Sequence, residues 1–190
     1  NVVPVSVTLN EVSRMVITNG GNIEFVFNSI DDYRLGISGD AAASASSNAA
    51  TSNSMYITNF YVASSRRWEL TYGAEEYTTG GGGAFLQGTD NPTNQLALDN
   101  IGFFLNSTGN HDFVGAPNGG TQESLVSAPT VDGTEVADLD LYPTVLITDA
   151  GVVDANAGDE NDNSFTITWR VGTMEDQMNP VALLEQANSP

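Results

Sequence analysis

A chain of 190 residues, 40% of them hydrophobic, is long enough to bury a sizeable core and too apolar to be disordered by composition. Five arginines, no lysine and 24 acidic residues give a net charge of −19, which argues against a nucleic-acid or anionic-membrane partner and favours divalent cations. The absence of cysteine excludes disulfides, thiol catalysis and cysteine-based zinc sites, and no apolar run is long enough to span a membrane as a helix.

In chain order, the dominant signal is short β-branched and aromatic runs separated by Gly, Asn, Asp and Ser clusters. The first is Val2–Leu9, with Val3, Val5, Val7 and Leu9 alternating along one side and Pro4 placing it at an edge or a join. Val12–Thr18 and Ile23–Phe27 follow, and Asn19-Gly20-Gly21-Asn22 between them predicts a hairpin turn. Tyr33–Ile37 is a fourth strand candidate. Residues 39–54, rich in Ala and Ser, offer little to a core and read as a long exposed loop of low complexity.

Strands resume at Met55–Val62 and Arg67–Tyr72, with Trp68, Leu70 and Tyr72 sharing a face. After the flexible glycines 80–83 comes Leu96–Leu105, strongest at Ile101–Leu105; the Gly/Asn-rich stretch 106–122 reads as loop. Leu141–Thr148 and Phe165–Val171 are the last strong strands, with Phe165, Ile167 and Trp169 on one face. Pro180–Ala187 alone looks helical, with Asn179 as its cap. The pattern predicts an all-β fold: one antiparallel β-sandwich over residues 1–190, immunoglobulin-like or jelly-roll-like, with about nine or ten strands and little helix.

Catalytic equipment is sparse. The single histidine, His111, lies in a loop-like context, and the absence of Lys and Cys excludes Schiff-base, thiol and P-loop chemistry. Glu75-Glu76, Asp31-Asp32 and Asp138/Asp140 are the paired carboxylates a glycosidase would need, but neighbouring acids are expected by chance in so acidic a chain. The expectation is therefore a protein that is not an enzyme.

The richest chemical pattern is Asp154–Asn163. Asp154, Asn156, Asp159, Asn161 and Asp162 supply oxygens around Gly158, as a Ca²⁺ loop would; an Asx-turn loop would use the same residues for backbone hydrogen bonds. Trp68 and Trp169 are expected as core anchors rather than sugar-stacking platforms. Asn106-Ser107-Thr108 fits an N-glycosylation sequon.

The run Tyr61–Tyr72, with its Trp68-Glu69-Leu70, the following Tyr77–Gly80, the strand ending Phe103-Phe104-Leu105 and Phe165–Val171 near the end together resemble the layout of WxL-type and spore-coat-U-type secreted β-sandwich domains. That resemblance implies a cell-surface, wall-associated or pilus-like protein. Two departures are the 39–54 insertion and the ending Asn188-Ser189-Pro190, where such domains close with a further strand.

Asn1 at the first position points to removal of a signal peptide and hence to an extracellular or cell-surface location. The expected function is a structural subunit that associates with copies of itself in a fibre or filament, with residues 1–10 either donating a strand to a neighbour or forming the first strand of their own sheet. The alternatives are a Ca²⁺-dependent glycan-binding adhesin module and a virion coat or tail protein.

Overall fold

In the computed structural model the described residues are 11–39, 49, 51–74, 85–87, 95–107, 112–113, 136–148, 156–176 and 178–186. Residues 1–10, most of 39–54, Glu75-Glu76, Gly80–Gly83, His111 and Asp154 lie outside them. The elements run β1 (Ser13–Asn19), α1 (Ile30–Leu35), β2 (Ile37–Ser38), β3 (Thr51–Ser52), β4 (Ile57–Ser64), β5 (Leu70–Tyr72), β6 (Phe85–Gln87) and β7 (Gln95–Ala97). They continue with β8 (Ile101–Ser107), β9 (Asp112–Phe113), β10 (Ala137–Asp138), β11 (Thr144–Thr148), β12 (Ser164–Val171) and α2 (Leu183–Gln186). The fold is all-β, with mostly antiparallel pairing and two short helices.

The largest sheet is organised on β12. Residues 164–168 pair with β4, residues 165–171 pair with β8, and Arg170 and Val171 pair with β2 where β4 has ended. β1 flanks β4, β10 flanks β8, and β3 joins β2 in parallel. A second sheet has the order β5-β11-β9, and β6 pairs with β7.

The alternation read from the sequence places the core. Along β4, Thr58, Phe60, Val62 and Ser64 are buried while the residues between them are partly exposed. Phe60, Val62, Phe103, Leu105 and Phe165 of the large sheet form one cluster with Leu146 and Ile147 of the second. Phe60 stacks on Phe165 at 4.9 Å between ring centroids, and Tyr72 meets Phe103 edge-on at 5.0 Å, so the two sheets share a core. A second cluster joins Ile37, Tyr56, Ile101, Val171 and Leu183, with Ile23, Phe25 and Phe27 packed against it.

The opposite face of β12 is covered too. Arg170, fully buried, pairs with the buried Glu175 of the segment that follows the strand. Asp138, Gly102, Arg170 and Ser38 lie in one cross-strand row, and Met178 and Val136 close over Gly102, where a Cβ would lie 2.5 Å from the Met178 sulfur.

Several expected elements differ. No hairpin joins 12–18 to 23–27: β1 pairs with β4, and Ile23–Phe27 forms no ladder. Gly20 takes a left-handed φ of 66°, and a Cβ there would stand 2.1 Å from the Ile57 carbonyl oxygen, so the turn is pressed onto β4 instead of reversing into a partner strand. The alternating aromatics are used as cover, with Phe25 stacked on Tyr56 at 4.7 Å. Tyr33–Ile37 is mostly α1, whose N-cap Ser29 and Asp32 form a reciprocal capping box; Asp32 Oδ2 accepts from the main-chain N–H groups of Asn28 and Ser29.

At the end of the expected 39–54 loop, Thr51–Ser52 pairs with β2, and a 3-10 turn follows at Ser54–Tyr56. The strand expected from Arg67 begins only at Leu70, and the helix expected over Pro180–Ala187 shrinks to Leu183–Gln186.

Candidate functional site: an apolar groove at the edge of two sheets

β1 is an edge strand whose only strand partner among the described residues is β4. Met15 pairs with Val62 and Ile17 with Phe60, and directly opposed residues of an antiparallel ladder project to the same face. That face is the core face, since Val62 is 4% exposed and Phe60 3%. Met15 and Ile17 are nevertheless 48% and 51% exposed. Among the described residues none covers these two side chains fully, and β1 presents an apolar shelf.

The shelf is one wall of a groove of about 670 Å³. Its floor includes Phe60, Ile167 and Trp169 of the large sheet, and its far wall includes Leu70, Thr71 and Tyr72 of β5 together with Tyr142. The end is closed by Gly20, Gly21 and Ile23. Among the described residues that line it none is charged, although the chain as a whole carries −19.

Hydrogen bonds fix the groove's walls. Trp169 Nε1 donates to Thr58 Oγ1 (2.9 Å), and Thr58 Oγ1 donates to the Gly20 carbonyl (2.7 Å), so the floor holds the glycine turn in place. Asn19 Nδ2 adds a bond to the Ile57 carbonyl (3.2 Å). On the β5 side, burial raises the Tyr72 phenol's pKa well above its ordinary value, and the carboxylates of Asp140 and Asp138 push it further in the same direction. The phenol therefore stays neutral.

Both tryptophans pack against the core. Trp68 meets Phe165 edge-on at 5.9 Å, and Trp169 lies 5.8 Å from Phe103. Trp68 is also clamped by Asn156: Trp68 N donates to Asn156 Oδ1 (3.0 Å), Trp68 Nε1 donates to the Asn156 carbonyl (2.6 Å), and Asn156 Nδ2 donates to the Trp68 carbonyl (2.7 Å). This clamp takes the Trp68 main chain out of any ladder and explains why β5 starts late.

The loop expected as a cation site is drawn together by its own side chains. Asp159 Oδ1 accepts from Asn161 N (2.8 Å) and Asn161 Nδ2 (3.2 Å), while Asp162 Oδ2 accepts from Asp159 N (3.2 Å). Gly158 exchanges two main-chain bonds with Ser64, each 2.9 Å, which anchors the loop to the end of β4. These are the bonds of an Asx turn. Asp154 is outside the described residues, and among those described no group of three or more acidic or histidine side chains could hold a metal ion.

The paired carboxylates separate into structural parts. Asp32 caps α1, and Asp31 forms an exposed ion pair with Arg34 at 2.6 Å. Asp140 accepts from Leu141 N (2.7 Å) and Thr144 Oγ1 (3.1 Å) around the cis Tyr142-Pro143 bond, while Asp138 is buried on β10. Val3, Val5, Val7 and Leu9 lie outside the described residues. No helix among the described residues is long and apolar enough to cross a membrane.

Comparison with protein-family models and with curated proteins finds no match for this chain.

Sequence reasoning placed Met15 and Ile17 on a strand but missed the groove. The alternation along 12–18 says which residues share a face; whether the opposite sheet reaches far enough to cover that face is a tertiary fact with no local signal.

Proposed function

We propose that this chain is an extracellular structural subunit that joins copies of itself into a surface fibre or filament by exchanging β-strands. One observation carries the reading: the core face of edge strand β1 is left half exposed along a groove whose described lining residues carry no charge. An open strand edge presents unpaired N–H and C=O groups, and a strand from another molecule satisfies them. Each such bond adds about 1 kcal/mol net, and each fully buried Val or Leu about 1.5–3 kcal/mol. A joint made by one surface on one molecule and a different surface on the next does not close on itself, so it propagates.

The groove's described lining supports binding over catalysis, since none of those residues is a carboxylate, imidazole or amine. The resemblance to WxL-type and spore-coat-U-type domains agrees with a surface role. A Ca²⁺-dependent glycan-binding role has weaker support, because Asn156, Asp159 and Asp162 already spend side-chain oxygens on backbone N–H groups.

Electron microscopy of the purified full chain over a range of concentrations tests the proposal. Filaments or linear oligomers are expected. Lone particles at every concentration would overturn it.

A further inference from the structure

We propose that the groove between β1 and β5 is the acceptor for residues 2–9 of a second copy of this chain, laid in as a β-strand. The inference rests on the self-assembly reading above and names its joint.

The groove has the form a strand requires. Edge strands border it on both sides, for among the described residues β1 pairs only with β4 and β5 only with β11. An incoming strand would find main-chain partners at an edge and apolar side chains beneath. It would also cover Met15 and Ile17, the two core-face side chains the fold leaves half exposed.

The segment fits in polarity, pattern and length. Asn1–Asn10 has no charged side chain, matching the described lining, in a chain of net −19. Val3, Val5, Val7 and Leu9 alternate with Pro4, Ser6 and Thr8, giving one apolar side for the groove and a more polar one for solvent. At about 3.3 Å per residue the eight residues extend roughly 26 Å, close to the roughly 23 Å of the seven residues of β1.

A second copy suits the groove better than the same chain. Val12 is tethered to Ser65, its N–H donating to Ser65 Oγ (3.0 Å) and its carbonyl accepting from Ser65 N (2.9 Å). Only Asn10 and Glu11 would remain to reverse the chain back along β1. Two-residue hairpin turns of the right twist need positive φ, and Glu11 stands where Gly is favoured. A neighbour's segment needs no reversal.

The chain has no cysteine, so engineered disulfides report the joint cleanly. Full-length copies carrying Val5→Cys are mixed with copies carrying Ile17→Cys under mild oxidation and run on a denaturing gel without reductant. Linked dimers of the two variants are expected, and a chain carrying both substitutions should give a ladder of multimers. The same Val5→Cys copies mixed with Val181→Cys, exposed and outside the groove, should give none. A doubly substituted chain that closes on itself as a monomer would overturn the proposal, with the chain's own segment as occupant. Absence of the Val5–Ile17 link in copies that still associate by light scattering would overturn the groove and leave self-assembly standing. Monomers at every concentration would overturn both.

Discussion

Ile17→Ala separates folding from association. Ile17 and Phe60 are directly paired across β1 and β4 on the same face, yet Ile17 is 51% exposed and Phe60 3%. A fully buried Ile→Ala change costs about 2–5 kcal/mol, and Phe→Ala about 3–5 kcal/mol. Half of Ile17's surface already sees water, so its removal should cost the isolated fold only about 1–2 kcal/mol. The exposed half becomes buried only when the groove is filled, worth about 1 kcal/mol and hence roughly a five- to tenfold weaker association. Urea denaturation at low concentration measures the first quantity, and sedimentation velocity across a concentration series measures the second. Phe60→Ala is the reference for a residue covered within its own chain. If Ile17→Ala unfolds the protein as readily as Phe60→Ala and leaves association unchanged, the shelf is part of an ordinary core and the reasoning fails.

Three further outcomes are expected. Asn156→Ala removes two side-chain bonds that hold Trp68 and should cost about 1–3 kcal/mol, with a red shift in tryptophan emission as Trp68 loosens; unchanged emission and midpoint would show the clamp to be idle. Arg170→Met removes the buried ion pair with Glu175 and should destabilise by about 3–5 kcal/mol, whereas Arg170→Met with Glu175→Leu should recover most of the loss; a double variant no better than the single would contradict the pairing. Because Tyr72's pKa is raised in the folded state, the fold binds more protons than the unfolded chain above the ordinary value of 10.0, so stability should fall as pH rises past that point. Tyr72→Phe should flatten this fall, and an identical slope in the variant would refute the assignment.

The strands with complete alternation were legible. In β4 the alternation matches the burial, with Phe60 and Val62 on the core face; in β12 it holds for Phe165, but Thr168 and Arg170 on the other face are buried while Ile167 and Trp169 are only partly so. Ile23–Phe27 shows the limit of that signal: alternation reports which residues are covered, and Phe25 and Phe27 are packed against the core without any strand ladder. The helix at Ile30–Leu35 did have a local sign, since Ser29 followed three residues later by Asp32 is a capping pattern. Tyr33 and Ile37, aromatic and β-branched, point instead to a strand. β3 had none, because a two-residue strand is too short to show an alternation.

The site divides in the same way. The Asp159–Asn163 loop offered two uses for one set of oxygens, and its spacing could not choose between a cation and the backbone. The groove needs the second sheet to stop short of β1, which follows from strand order and not from any residue in the groove.

Hydrogen exchange at β1 tests the central claim most directly, because an edge covered only by another molecule must gain protection with concentration. The account predicts that the alternate amides of Ser13–Asn19 that face the free edge exchange quickly in dilute protein and slow as assembly proceeds, while Phe60 and Val62 on β4 stay protected throughout. Protection along β1 that is already complete in dilute monomer, or that never changes while oligomers form, would contradict it.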